Sequence, residues 1–206
     1  MQTAIVIAGG WSVSQYDVAD LRGPGRIVIG VNESAILAQC DVAVTMDRLW
    51  TEHRWERYFE SRSGDLWIRR GADKALPDHP RRRQFECDHT SFVMTDETGV
   101  LNGTSSGMCA LNFVYQLHPS RVYAFGLDMQ KGPKGQPYWY PPYDWPQAKP
   151  EGNTTTGKYR EWQPQFASIA KQFRKRGIVV KQVNNRSKIR AFEQIGYKQF
   201  IAEIQG

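Results

Sequence analysis

Cysteine is scarce and long apolar runs are missing. Three cysteines, Cys40, Cys87 and Cys109, stand far apart with no C-x-x-C pair. They signal neither a disulfide framework nor a zinc site, and are read as reduced thiols. The longest apolar stretch, Ala4 to Ala8, falls far short of the roughly 20 residues a spanning helix needs, and Met1-Gln2-Thr3 carries no basic segment or cleavage site. A cytoplasmic protein with no membrane span is the expectation. No Gly-Lys-Ser/Thr completes a Walker A loop, and Gly9-Gly10 is not a G-x-G-x-x-G fingerprint, which argues against a P-loop kinase and an ordinary NAD enzyme. Neither an internal repeat nor a linker divides the chain, so residues 1–206 are read as one domain.

What is present suits a folded protein. Of 206 residues, 40% are hydrophobic, 12% aromatic and 23% charged, enough apolar side chain to build a core. Twenty-seven Lys and Arg stand against 21 Asp and Glu, a formal charge of +6. That excess favours anionic partners: a nucleotide, a phosphorylated substrate or nucleic acid.

Short β-branched runs punctuated by Gly, Asn or Asp mark buried parallel strands at Thr3 to Ala8, Arg26 to Val31, Asp41 to Met46, Arg121 to Gly126 and Ile178 to Val183, the last being read as the final strand. Between them, helices are expected from Trp11 to Leu21 (capped by Ser12 or Ser14), over Glu33 to Gln39, Arg48 to Tyr58, Thr104 to Leu117 and Tyr159 to Arg176, with Gly177 closing the last. A terminal helix starts at Ser187 or Phe192. Ser61 to Pro80 shows no periodicity. The sum is an α/β fold: a Rossmann-like, mostly parallel sheet with helices on both faces. A loop over about 130–157, rich in Gly, Pro, Tyr, Trp and Lys, has the composition of a lid.

In such a sheet, ligands bind beyond the carboxyl ends of the strands. Gly9, Gly10 and Ser12 follow the first strand, Asn32 the second, Asp47 the third and Asp128 the strand after the long helix. Each of them could also serve as an ordinary turn or cap. Asn102-Gly103-Thr104-Ser105-Ser106-Gly107 leads small residues into a helix N-terminus, where backbone N–H groups and the helix dipole favour a phosphate, though Thr104 or Ser105 would equally cap the helix. In the aromatic loop, Tyr138, Tyr140 and Tyr143 lie beside Lys131, Lys134 and Lys149 and suit stacking on a sugar, a base or a pterin, or a satellite core. Arg81, Arg82 and Arg83, with Arg69 and Arg70, keep a nucleic-acid partner open.

Ile-Val-Ile-Ala-Gly-Gly-Trp-Ser (5–12), Gly-Val-Asn (30–32), Thr-Met-Asp (45–47), Thr-Ser-Ser-Gly-Met-Cys-Ala (104–110) and Val-Tyr-Ala-Phe-Gly-Leu-Asp (122–128) together resemble one superfamily. It holds the bacterial family 42 sialyltransferases and the DUF115 proteins, which include 6-hydroxymethylpterin diphosphokinases. The resemblance implies nucleotide binding by Gly9, Gly10, Ser12, Asn32, Gly103, Thr104, Ser105, Ser106 and Gly107, and lid contacts to phosphate by Tyr138, Tyr140 and Tyr143. Two features depart from the sialyltransferases. Trp11 stands where their first loop has proline, and His53, His79, His89 and His118 all precede the C-terminal third, where their catalytic histidine lies.

Three functions follow as expectations. The first is transfer of a sugar from an activated nucleotide to a hydroxyl, with Asp128 and Asp47 as the catalytic carboxylates. The second is a diphosphokinase, in which the same two residues would hold Mg²⁺, the one cofactor the sequence suggests. The third is a non-enzymatic module binding nucleotide or nucleic acid.

Overall fold

The computed structural model describes residues 2–73, 76–148 and 156–205. Eight strands form one sheet: β1 (Thr3–Ile7), β2 (Arg26–Val31), β3 (Val42–Thr45), β4 (Asp65–Arg69), β5 (Arg82–Phe85), β6 (Arg121–Phe125), β7 (Val179–Gln182) and β8 (Glu193–Gln194). Their order is β5-β4-β3-β2-β1-β6-β7-β8, and every pairing is parallel. Progression reverses at β1, whose two neighbours are β2 and β6. The crevice beyond the carboxyl ends of β1 and β6 is therefore the topological switch point, where such sheets bind ligands.

Alternation along β1 divides the core. Ala4, Val6 and Ala8 face α3 (Ser106–Gln116) and α5 (Gln165–Lys175), whose Leu111, Val114, Phe166 and Phe173 are buried with them. Ile5 and Ile7 face the other side, packed with Phe200 of α6 (Tyr197–Gln205). That same side carries α1 (Ser34–Leu37) and α2 (Arg48–Ser61) over β3 and β4, where Trp50, Tyr58, Leu66 and Ile68 are buried. Helices thus cover both faces. Each fully buried Phe or Leu adds about 1.5–3 kcal/mol from apolar burial.

Several sequence expectations give way. Trp11–Gln15 forms a short 3₁₀ turn and not a helix to Leu21, because the Ser12 hydroxyl is committed to Asp128 and not to a helix N-terminus. The unreadable middle holds β4, and β5 follows at Arg82–Phe85. The helix over 159–176 is two helices, α4 (Thr156–Trp162) and α5, broken at Pro164, which has no N–H to continue the ladder. β7 is not the last strand, since β8 follows it, and the terminal helix begins only at Tyr197. Gly177 does end α5 in a left-handed conformation, φ +70°.

Candidate functional site

β1 runs out of regular pairing at Gly9-Gly10, and the chain stays against β6: Ala8 N–H donates to Phe125 O (2.9 Å) and Gly10 N–H to Gly126 O (2.9 Å). A β-carbon on Gly10 would collide with the Gly126 carbonyl and lie 2.6 Å from Asp128 Oδ2. Gly126 itself is left-handed, φ +69°. Only glycines permit this approach, and it brings the loops after β1 and β6 together.

Asp128 stands where they meet, 2% exposed. Its carboxylate accepts from Ser12 N–H (2.9 Å), Ser12 Oγ (2.6 Å) and Asn184 Nδ2 (2.8 Å). Burial pushes its pKa above the usual carboxylate value, against the pull of those donors. Asn184 was not singled out in the sequence. It follows β7, and the rule that found Asn32 and Asp47 would have found it.

On the far side of the crevice, α3 begins. Ser105 caps it, its Oγ accepting from Met108 N–H (3.4 Å). Ser106 Oγ accepts from Met46 N–H (3.1 Å), fastening the helix to the end of β3. Thr104 Oγ1 bonds Gln165 Oε1 at 2.8 Å, tying the loop to α5. The amides of Ser106 and Gly107 lie in the first turn, where a helix has no partner of its own for them. Asp47 caps α2 through Trp50 N–H (3.1 Å). Asn32 is left-handed, φ +52°, and its Oδ1 is buried with no hydrogen-bond partner.

The aromatic loop lies over this crevice. Tyr138 stacks on Tyr140 (5.1 Å), and Tyr143 on Trp145 (4.1 Å). His53 also stacks with Trp145 (4.9 Å), and Arg54 lies 5.0 Å from the same ring. Arg54 also pairs with Asp144 (2.5 Å) and with buried Glu33 (3.3 Å), the neighbour of Asn32. Trp139 Nε1 donates to Ser34 Oγ (2.9 Å). The Tyr140 and Tyr143 hydroxyls meet at 3.1 Å. Burial raises both phenol pKa values, so both remain neutral near pH 7.

These elements enclose a cavity of about 400 Å³. Gly9, Gly10, Asn32, Asp47, Thr104, Ser105, Ser106, Gly107, Asp128, Tyr138, Tyr140 and Tyr143 all line it. Ser12 and Gly103 do not: Ser12 lies behind Asp128, and Gly103 is packed against Met108 and Cys109. Tyr159 and Trp162 of α4 line it unforeseen, and Trp162 Nε1 is buried without a partner. Their periodicity marked a helix and nothing marked its position. Lys131 and Lys134 are not among the lining residues, and Lys149 lies outside the described residues. None of the four histidines lines the cavity.

Asp47 and Asp128 both line the cavity: Asp128 accepts three hydrogen bonds, whereas Asp47 accepts one, at Oδ1. Among the described residues, no group of three His, Cys, Asp or Glu is arranged to hold a metal ion. The arginines of the outer strands are likewise engaged. Arg70 pairs with Glu86 (2.8 Å), Arg82 with Asp78 (2.6 Å) and Arg83 with Asp65 (3.1 Å), while Arg81 bonds backbone carbonyls and lies over Phe59. Among the described residues, no helix is long and apolar enough to cross a membrane.

Strand order, two-sided helical cover and a covered cavity at the switch point define a Rossmann-like α/β protein with a carboxyl-edge cavity. No family model and no curated relative matches the chain. Among solved structures, the sialyltransferase CST-II, determined in complex with a trisaccharide acceptor and CMP, is similar, with a TM-score of 0.51 over 95% of this chain and 86% of that one. Identity is 12%, so the likeness is one of fold.

Proposed function

We propose that this chain is a glycosyltransferase that moves a sugar from an activated nucleotide to a hydroxyl acceptor inside the carboxyl-edge cavity. One observation carries the reading. A single cavity unites the first turn of α3, the unpartnered Asn32 Oδ1 and the buried Asp128 carboxylate under a tyrosine-rich cover. The fold shared with a CMP-binding sialyltransferase supports it at the level of reaction class.

In this reading, the donor phosphate lies at Thr104 to Gly107, where first-turn amides and hydroxyls balance its charge. The nucleoside half lies against Gly9, Gly10 and Asn32. Tyr138, Tyr140 and Tyr143 donate to phosphate or acceptor oxygens and keep water out. As the acceptor oxygen bonds to the anomeric carbon, the carbon–oxygen bond to phosphate breaks and the nucleotide leaves as an anion at α3. A carboxylate takes the acceptor proton. Asp128 is the preferred base, because burial raises its proton affinity, and Asp47 is the other carboxylate in reach of the cavity. The Mg²⁺-dependent diphosphokinase has weaker support, because the solved structure sharing this fold is a CMP-binding sialyltransferase. Nucleic-acid binding is weakened by the paired outer-strand arginines.

A thermal-shift panel of CMP, UDP, GDP and ATP with their sugar conjugates, with and without Mg²⁺, tests the reading. A ligand at about 100 times its Kd adds about 2.7 kcal/mol of stability. CMP or a CMP-sugar is expected to shift the transition without Mg²⁺. A shift confined to ATP with Mg²⁺, or to an oligonucleotide, would overturn sugar transfer.

A further inference from the structure

Two of the three cysteines, remote in sequence, meet beside the phosphate loop. Cys87 follows β5 and is half-buried, while Cys109 sits fully buried in the first turns of α3. Their sulfurs are 3.8 Å apart. Both also approach one carbonyl, that of Gly103: Cys87 Sγ at 3.4 Å and Cys109 Sγ at 3.9 Å. Gly103 is the residue from which the Thr104–Gly107 loop departs. It has no slack, since a β-carbon there would lie 2.7 Å from Met108 Cβ and 2.9 Å from Cys109 N.

The pair is chemically unequal. Cys87 has His89 Nδ1 at 3.6 Å, and His89 is in turn 3.1 Å from the Arg69 guanidinium. The Cys109 thiol can donate to Cys87, and this, with the positive charge of Arg69, lowers the Cys87 pKa despite partial burial. Cys109 is shifted the other way, by that same hydrogen bond and by burial. A half-buried, activated thiol beside a fully buried partner is the arrangement of an attacking and a resolving cysteine. Cys40 supplies the internal contrast: it is buried on the opposite face of the sheet, with its thiol pushed up to about 12.

We propose that Cys87 and Cys109 are a redox modification site, closing to a reversible disulfide under peroxide and thereby re-setting the Gly103–Gly107 loop. The Cys87 thiolate attacks a peroxide oxygen, the O–O bond breaks and hydroxide leaves as water, giving a sulfenic acid. Cys109 sulfur then attacks Cys87 sulfur, the S–O bond breaks, and the Cys109 proton departs with the hydroxide as a second water. Two thiols are oxidised by two electrons and one peroxide is reduced to two waters. The sulfurs must close from 3.8 Å to about 2.05 Å, the length of a disulfide. A disulfide has no thiol proton to donate, so closure removes the contacts that both sulfurs make to the Gly103 carbonyl and with them a restraint on the residue from which the loop departs. The effect on nucleotide affinity rests on the phosphate reading above, whereas bond formation and loop displacement do not.

The test treats the full chain with hydrogen peroxide and reads three quantities. Intact mass should fall by two hydrogens and peptide mapping should link Cys87 to Cys109, with dithiothreitol reversing both. Cys87→Ser and Cys109→Ser should abolish the link while Cys40 remains alkylatable after unfolding. If Cys109→Ser does not fold, native-state alkylation of wild-type Cys87, blocked by prior peroxide and restored by reductant, gives the same answer. Hydrogen exchange over Thr104 to Met108 should change on oxidation, and CMP affinity should fall by about tenfold, a typical coupling between linked sites. Oxidation of Cys87 to sulfinic acid without a link, or a link with unchanged exchange, overturns the proposal. Should the reduced chain fail to bind CMP, the nucleotide reading fails on its own, and mass and exchange still decide the disulfide.

Discussion

The two walls of the cavity are held by different forces. On the β1–β6 side, Gly10 lies against the Gly126 backbone, and Asp128 is fixed by three donors from Ser12 and Asn184. On the covering side, Tyr138, Tyr143 and Trp145 are placed by ring stacking, and Arg54 connects Trp145 and Asp144 to Glu33. Backbone approach is intolerant of any added atom, whereas stacked rings slide at small cost. Under the proposed function, the first wall is therefore a frame that would set the position of the ligand, and the second a cover that would yield to admit it.

Four substitutions separate frame from cover. Gly10→Val should have the largest effect, since its side chain would occupy the space of Gly126 O and Asp128 Oδ2. A loss of about 3 kcal/mol in urea unfolding is expected, together with loss of the CMP thermal shift. A stable variant would show that the frame yields as the cover does. Next is Asp128→Asn. One amide oxygen cannot accept from three donors, and the amide nitrogen would face a donor, so a loss of about 1–3 kcal/mol is expected. Turnover should fall on the order of 10²-fold, and near-normal turnover would leave Asp128 as a strut of the frame alone.

The same residue gives a pH signature. Because burial raises the Asp128 pKa above 3.8, the folded state binds its proton more tightly than the unfolded chain does. Stability contributed by this group is thus greatest at low pH and declines as pH rises from the ordinary carboxylate value through the raised one. Urea midpoints followed across that window should decline less in Asp128→Asn than in the native chain, other carboxylates contributing equally to both.

On the covering side, Arg54→Ala should be milder. Glu33 keeps Arg57 and Trp50 Nε1 as partners, and the loss of about 1–2 kcal/mol reflects two broken pairs, the buried one to Glu33 and the exposed one to Asp144, which adds little. Donor affinity should weaken more than stability, and hydrogen exchange should rise over Tyr138 to Trp145 but not over α3. Tyr143→Phe is the smallest: it deletes one hydroxyl contact, to Tyr140, at about 1 kcal/mol or less, and keeps the ring stacked on Trp145. A larger loss of stability than in Arg54→Ala would reverse the assignment of what holds the cover.

The sequence discloses the frame better than the edges. β1, β2, β3 and β6 are apolar on both faces because both faces are covered, and that pattern is legible without coordinates. β4 was missed although Leu66 and Ile68 alternate with partly exposed residues, because five residues beside an aperiodic stretch make a weak signal. β5 is an edge strand reading Arg-Arg-Gln-Phe, with Phe85 its one fully buried residue, and charge at an edge looks like charge on a loop. The strand-end rule brought Gly9, Gly10, Asn32, Asp47 and Asp128 to one cavity. Tyr159 and Trp162 escaped it because their helix reaches the cavity through tertiary packing. In sequence the arginine run keeps a nucleic-acid partner open, yet cross-strand and loop carboxylates neutralise much of it.

The central place of β1 bears on how the chain is made. One edge of β1 finds β2 within a few tens of residues, but the other waits for β6, where Ile5 pairs with Tyr123. At a synthesis rate of about 5–20 residues per second, that edge stays bare for roughly 6–24 s on the ribosome. An apolar strand with unpaired N–H and C=O groups is a template for any other extended chain. The nascent protein is therefore most exposed to misassembly before Arg121 to Phe125 has emerged, and slowing translation ahead of that segment should lower soluble yield without altering the stability of the molecules that do fold.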